Sequence, residues 1–395
     1  MSGIVLSASV RQNLLSLQST AELLSTTQNR LATGNKVNSA LDNPTNFFTA
    51  QGLNNRAGDI NNLLDSIGNG VQVLQAANTG LTSLQKLVDT AKSIANQVLQ
   101  APTGYSTKSS VVSGANAGGT AANLLGATLV QGDILNIAAT GGGTASVITF
   151  GTGAAEVDTL TELNAALAAN NLQASVDDTT GKITITTTND AASATVGALG
   201  GTAIGAGKAF LPASTTVVAK VADASSQTIR SSLVKQYNDV ITQITTTAQD
   251  SSFNGINLLN GDNLKLTFNE TGKSTLNISG VTFNAGGLGL ASVVSGTDFL
   301  DNSSANTILT KLSSASSTLR TQASALGSNL SIVQIRQDFN KNLINVLQTG
   351  SSNLTLADTN EEAANSQALS TRQSIAVSAL ALANQSQQSV LQLLR

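Results

Sequence analysis

The side chains able to do chemistry are few, and their spacing argues against a reaction centre. The chain of 395 residues contains no Cys, no His and no Trp. This removes thiolate and imidazole nucleophiles, imidazole bases, the usual transition-metal ligands and any disulfide. Catalysis would have to come from Asp, Glu, Lys or Ser. The nearest approach to a carboxylate pair is Asp177-Asp178, but it stands in Asp177-Asp178-Thr179-Thr180-Gly181. That composition forms turns, because Asp side chains accept from backbone amides further along the chain. Gly141-Gly142-Gly143 lacks the lysine and the helix context of a phosphate loop and reads as a flexible loop. A zinc-peptidase helix needs His-Glu-x-x-His, which a chain without His cannot supply. Aromatic residues are 3% of the chain, too few for a sugar-stacking platform. The expectation is no enzyme, no cofactor and no metal.

Twenty basic residues face 23 acidic ones, a net charge of −3. No basic excess exists to hold a polyanion, so no nucleic-acid partner is expected. Charged residues make up only 11% of the chain, against about 25% in ordinary soluble domains. Polarity comes instead from Ser, Thr, Asn and Gln, which can be buried against a partner at lower cost than ions when they find hydrogen bonds. Residues 1–20 show no basic stretch, apolar run or small-residue cleavage site, so they do not read as a secretory signal peptide. No stretch approaches the roughly 18 apolar residues of a membrane span, and no membrane insertion is expected.

The elements that would position these residues are long helices. The only three prolines are Pro44, Pro102 and Pro212, each at a change of pattern and each read as a boundary, since proline breaks a helix interior. Half of the 34 glycines lie between residues 103 and 210, which marks that segment as a different kind of structure. Before it, Val10, Leu14, Leu17, Ala21, Leu24, Gln28 and Leu31 follow the alternating spacing of a coiled-coil seam, and Gly34 is a stop. A polar, turn-rich stretch runs from Asn35 to Pro44. The seam resumes through Leu53, Ala57, Ile60, Leu64, Ile67, Val71, Leu74, Asn78, Leu81, Gln85 and Val88. A helix from about residue 45 to 99 would be about 80 Å long, which suggests a rod.

Residues 103–215 read as a small α/β insert with a β-β-α-β-β pattern. Ile134, Ile137 and Val147-Ile148-Thr149-Phe150 are strand-like. Thr159 with Glu162 forms a capping box before Leu160, Leu163 and Leu167. Leu172, Ala174 and Val176 alternate, as do Ile183 and Ile185 beyond the Asp177 turn. A helix returns over 225–249 with Ile229, Leu233, Gln236 and Val240 on one face. A hairpin follows, with Leu264, Leu266 and Phe268 facing one way and Leu276 and Ile278 returning. Ile308, Leu312, Ala315, Leu319, Gln322 and Leu326 restart the heptads.

The last helix carries two apolar lines. One seam is Leu369, Gln373, Ala376, Leu380, Ala383, Gln387, Val390 and Leu394. A second runs through Ile375, Ala379, Leu382 and Leu393. From Ala363 onward the only charges are Arg372 and Arg395. A helix apolar on more than one face is not satisfied by one partner helix. The N-terminal seam offers one partner, and the other face needs another copy of the molecule or a place in an antiparallel bundle core.

Three motifs carry a family resemblance. Arg30-Leu31-Ala32-Thr33-Gly34-Asn35-Lys36-Val37-Asn38-Ser39-Ala40, followed by Asp42-Asn43-Pro44, resembles the N-terminal signature of bacterial flagellins. Phe253-Asn254-Gly255 with Leu258-Leu259 is similar to the segment after their third long helix. Ala383-Asn384-Gln385 with Val390-Leu391-Gln392-Leu393-Leu394-Arg395 resembles their C-terminal ending. The Asp-Asn-Pro variant is similar to flagellins of alphaproteobacteria.

The resemblance implies a mainly α protein. Its long antiparallel coiled-coil and helical-rod core would be drawn from both chain ends, with a β-hairpin and a small inserted α/β domain. Residues 1–43 and 355–395 would form the inner coiled-coil polymerisation domain, with Val10, Leu14, Leu17, Leu24, Leu31, Leu369, Ala376, Leu380, Ala383, Val390 and Leu394 packing the polymer core. Residues 44–102 and 216–354 would form the outer rod with the hairpin, packed by Leu53, Ile60, Leu64, Ile67, Val71, Leu74, Ile308, Leu312 and Leu319. Residues 103–215 would be a surface-exposed insert, placed between the first and second rod helices, whereas the family's variable region follows the hairpin. The implied function is a structural subunit that self-assembles into the secreted, extracellular flagellar filament used for swimming. Its implied partners are further copies of itself, an export chaperone on the C-terminal helix, and hook-associated junction and cap proteins. Two alternatives stay open: a hook–filament junction protein, and a flagellin whose insert acts as a surface-binding module.

Overall fold

A computed structural model describes residues 8–116, 118–210 and 217–393. Pro212 and Leu394 lie outside the described residues. The described residues hold six α-helices: α1 (Ala8–Thr33), α2 (Pro44–Gln100), α3 (Leu160–Ala168), α4 (Ala224–Asp250), α5 (Asn302–Thr355) and α6 (Thr359–Leu393). The strands are β1 (Tyr105–Thr107), β2 (Ser110–Val112), β3 (Ile134–Ile137), β4 (Ser146–Thr149), β5 (Leu172–Asp177), β6 (Lys182–Thr187), β7 (Leu199–Gly200), β8 (Val217–Val218), β9 (Val221–Ala222), β10 (Leu264–Thr267) and β11 (Thr275–Ile278). The protein is thus mainly helical, with long helices near both ends and its strands in small sheets.

The helix boundaries follow from local chemistry. Gly34, at φ +71°, ends α1 in the left-handed conformation that glycine adopts without strain. Asn43 caps α2, its Oδ1 accepting from the Asn46 amide at 3.0 Å. Pro44 takes the first helical position, where the missing amide hydrogen costs nothing. At 57 residues, α2 extends about 85 Å at 1.5 Å per residue. It stops at Gln100, two residues before Pro102, in keeping with proline's restriction of the residue before it.

The chain divides into two compact units. One comprises the described residues of Met1–Val71, Lys265–Leu276 and Ser331–Arg395, and the other Gln72–Leu264 and Asn277–Leu330. Both α2 and α5 contribute to each. In the first unit α1 packs along α6. Ala57 and Ile60 of α2 form an apolar cluster with Ile344 and Leu347 of α5, flanked by Leu53, Leu64 and Leu343. The buried Ser351 hydroxyl donates to the Ala50 carbonyl at 3.2 Å across the same contact. Asn340 is also buried and donates to the Phe268 carbonyl at 3.0 Å, fixing the hairpin turn against α5.

In the second unit the insert has its own core, built around Val111, Leu135, Ile148, Phe150, Leu163, Leu167, Ile183, Ile185 and Phe210. One sheet has the order β5-β6-β2-β8 and the other β4-β3-β7. The five expected elements are present as β3, β4, α3, β5 and β6, and α3 carries the Thr159–Glu162 capping box. The sheets also recruit β2, β7 and β8, two or three residues each, which sequence alternation does not reveal. These pair only because distant segments meet: Val111 lies opposite Ile185, and Asn136 opposite Gly200.

The face of α4 differs from the sequence reading. Its buried residues are Ser226, Arg230, Leu233, Val234, Tyr237, Ile241, Ile244 and Ala248, whereas Ile229 is 48% exposed and Gln236 is exposed. Two polar-tipped side chains, Arg230 and Tyr237, turn the buried face by about one residue. Tyr237 stacks edge-on against Phe299, ring centroids 5.8 Å apart. Burial pushes its phenol up to about 12.

Candidate assembly surface

The first unit positions exposed apolar side chains on α1 and α6, and a tight junction sets them up. After Gly34, the Lys36 and Val37 amides donate to the Thr355 carbonyl at 2.7 and 3.3 Å. The Ala357 amide donates to the Gly34 carbonyl at 3.0 Å. These bonds bring the end of α1 beside the start of α6, so the two helices run antiparallel. The Asp42 carboxylate accepts from the Asn38 amide (2.9 Å), the Ser39 amide (2.8 Å) and the Ser39 hydroxyl (3.2 Å). Those bonds, the Ser39 amide foremost, hold its carboxyl below the ordinary value. The sequence Ser39-Ala40-Leu41-Asp42-Asn43-Pro44 is therefore one device: an Asp-closed turn, a helix cap and a first-turn proline.

The α1–α6 pair is pinned at this end by charge. Arg30, in the last turn of α1, meets Glu362, in the first turn of α6, at 3.2 Å. Each charge also opposes its own helix dipole. Asp358 caps α6, accepting from the Asn360 and Glu361 amides at 2.9 and 3.3 Å.

Along the pair, the line of α1 turned inward is Val10, Asn13, Leu17, Thr20, Leu24, Thr27 and Arg30, all buried or half-buried. This corrects the seam read from the sequence at alternate positions: Asn13, Thr20 and Thr27 stand where Leu14, Ala21 and Gln28 were expected. Leu14 is 36% and Leu31 40% exposed. Hydroxyls can occupy the line because a threonine within a helix satisfies itself; Thr20 donates to the Ser16 carbonyl at 2.8 Å. The leucine doublets Leu14-Leu15 and Leu23-Leu24 are the sequence signal for this arrangement. Adjacent leucines on a helix cannot share one face.

On α6, Leu369, Gln373, Ala376, Leu380 and Ala383 are half-buried, as the first of its two lines. The second is turned out, with Ile375 63% and Leu382 72% exposed. The side chain of Val390 and all of Leu394 lie outside the described residues. Val377, Leu15 and Leu23 are also exposed, so both helices carry apolar side chains that no described residue covers. Of the residues expected in the rod, Ile60, Ile67, Val71, Leu74, Leu312 and Leu319 are buried, and Leu53, Leu64 and Ile308 half-buried.

The residues first considered for chemistry are structural. Asp177 accepts from the Thr179 amide at 2.9 Å and the Thr180 hydroxyl at 2.8 Å, and that hydroxyl chiefly lowers its carboxyl. Asp178 accepts from the Ala121 amide at 2.7 Å. The glycine triplet is a packed turn, which corrects the flexible loop expected: a Cβ on Gly143 would stand 2.7 Å from the Asn170 backbone. Among the described residues no group of three or more Asp or Glu could hold a metal ion, and no helix is long and apolar enough to cross a membrane.

Residues 5–113 match the bacterial flagellin N-terminal helical region, and residues 309–394 the bacterial flagellin C-terminal helical region. Both ends of the chain thus match helical regions of bacterial flagellins. Among curated flagellins of Caulobacter vibrioides, FljM is 33% identical over 165 residues, which is 41% of this chain and 59% of the relative. FljO and FljK are each 31% identical over the same length and shares. The chain thus spans about three-fifths of the length of the flagellins it matches. Both matched regions meet in the first unit, where α1 and α6 pair; residues 114–308, holding most of the insert, lie outside both.

Proposed function

We propose that this chain is a structural subunit that self-assembles into the helical filament of the bacterial flagellum and performs no catalysis. The observation that carries this reading is the exposed apolar face of the α1–α6 pair, with Leu15, Leu23, Ile375 and Leu382 each more than half exposed. It lies in the two flagellin regions at opposite ends of the sequence. A second copy buries that face, and a head-to-tail contact that does not close makes a filament.

On this reading residues 1–43 and 355–395 are the polymerisation domain, and Leu14, Leu17, Leu24, Leu380, Val390 and Leu394 pack the polymer core. Residues 44–102 and 216–354 are the outer helical domain, and 103–215 is a surface-exposed insert. The subunit leaves the cell by the flagellar export route and ends in the extracellular filament. Before export the two-faced α6 is the natural ligand of a chaperone that presents a groove to an amphipathic helix. Junction and cap proteins contact the ends of the polymer.

Seeded polymerisation tests this. Purified full-length chain, viewed by negative-stain electron microscopy, forms long filaments, and the chain truncated after Leu354 forms none. A full-length chain that adds only short caps to the seeds would move the assignment to a hook–filament junction protein.

A further inference from the structure

We propose that the insert is latched as a rigid extension of the helical part of the second unit, through Ser193, Lys220 and Asp301, so that every copy presents it in one fixed orientation. A domain joined by two loose strands would leave its connections to water. Here both connections are used up internally. Tyr105 and Ala222 lie opposite each other in the β1–β9 pair, so the two strands form one root. The Gly104 carbonyl accepts from the Asp223 amide at 3.0 Å and from Gln227 Nε2 at 3.1 Å, while the Gly104 amide donates to the Leu300 carbonyl at 3.2 Å. The root is thereby bonded to both α4 and the segment leading into α5.

The latch lies on the insert side of this root. The Ser193 hydroxyl, in the turn after β6, donates to Asp301 Oδ2 at 2.6 Å, just ahead of α5. Lys220, between β8 and β9, donates to the Ser193 carbonyl. Its ammonium also stands over the Tyr105 ring, 5.4 Å from the centroid, a cation–π contact that strengthens as it is desolvated. Lys108 adds a bond from the root to Asn189 Oδ1 at 3.0 Å. One turn of the insert is therefore tied to the root strands and to the start of a long helix at once. Any rotation of the insert about its root must break the Ser193–Asp301 bond and expose the Lys220 contacts together.

The inference does not rest on filament formation, and its test uses dilute full-length monomer. The absence of native cysteine allows spin labels at Gln173→Cys on β5 and Asn306→Cys on α5, both exposed positions. Pulsed dipolar spectroscopy should give a single narrow distance distribution. Adding Ser193→Ala and Lys220→Ala, which leave the helix caps in place, should abolish the single peak and speed tryptic cleavage after Lys108. Circular dichroism checks that helix content is kept. A broad distribution in the parent, with Ser193 and Lys220 intact, would overturn the rigid insert. A narrow distribution unchanged in the double variant would overturn the assignment of the latch. If the double variant loses helix, the single substitutions and the parent's distribution decide between the same two results.

Discussion

Arg230 is the residue on which the C-terminal end of α2 and the N-terminal end of α5 converge, and it is a charge inside a core. Its guanidinium donates to Pro102 O (2.6 Å), Ala101 O (2.8 Å), Val98 O (3.0 Å), Phe299 O (2.6 Å) and Asn302 Oδ1 (3.2 Å). The last turn of α2 leaves carbonyls without partners inside the helix, and a planar five-donor group fits that cluster. Desolvation lowers its pKa while Asp301 opposes the shift, yet an arginine so bonded stays charged. Arg230→Met should cost about 3 kcal/mol or more, since each buried carbonyl left unpaired costs about 1–3 kcal/mol. Arg230→Lys should recover only part, because an ammonium cannot reproduce the fork. Urea unfolding midpoints measure both. Sequence periodicity did not find Arg230, because polarity alone places an arginine on the outside of α4.

Acid should act through carboxylates held below their ordinary range. Asp42 is lowered chiefly by the Ser39 amide and Asp223, the cap of α4, chiefly by the Ser226 hydroxyl. A depressed folded pKa means that their stabilisation is complete above the unfolded value of about 3.9 and is lost as pH falls through the folded value. The thermal midpoint should therefore hold from pH 7 to about pH 4 and fall below it. Asp42→Asn should start lower at pH 7 and fall less steeply; an unchanged acid slope would remove Asp42 from this account.

At the scale of elements, the two faces of α1 and α6 separate folding from assembly. Leu382→Ser changes a side chain that is 72% exposed, so monomer stability should move by no more than about 0.5 kcal/mol. Seeded elongation, on the proposed function, should be lost. Thr27→Val acts oppositely: it adds apolar contact at a buried position of the α1–α6 line and should raise the monomer's helix melting temperature. Loss of elongation together with collapse of the monomer in Leu382→Ser would mean that its face is already used within the chain. The cap of α2 gives a local check, since Asn43→Ala removes the bond to Asn46 and should cost about 1 kcal/mol. The existence of all the long helices was legible from heptads, prolines and Gly34. The rotation of α1 was not, because the period locates a stripe only to within one residue when leucines come in pairs and threonines can be buried.

At the scale of the whole molecule, charge is scarce and the described residues make few ion pairs, of which Arg30–Glu362 and Lys208–Asp133 are the better buried. Exposed charges a Debye length apart are screened in salt, and a chain with 11% charged residues has little to screen. On the proposed function, the critical concentration for elongation should change little between low and high ionic strength. A steep rise with salt would mean that ion pairs between copies, and not apolar faces, hold the polymer. The proposed latch belongs to this scale as well, since it converts an inserted sequence into a fixed part of the second unit.

The sequence by itself determined that the chain is mainly helical, where α1 stops and where α2 and α4 begin and end, that α6 has two apolar lines, and which family its ends resemble. These follow from short-range rules: heptad spacing, proline and glycine stops, and caps within a few residues. Tertiary structure alone decided that Thr20 and Thr27 line the α1–α6 contact in place of Ala21 and Gln28, that Arg230 gathers the ends of α2 and α5, and that strands of two or three residues complete the insert's sheets. Each of those depends on groups brought together from far apart in the chain. Their energy lies in satisfied backbone carbonyls and amides, which no pattern of side-chain hydrophobicity records.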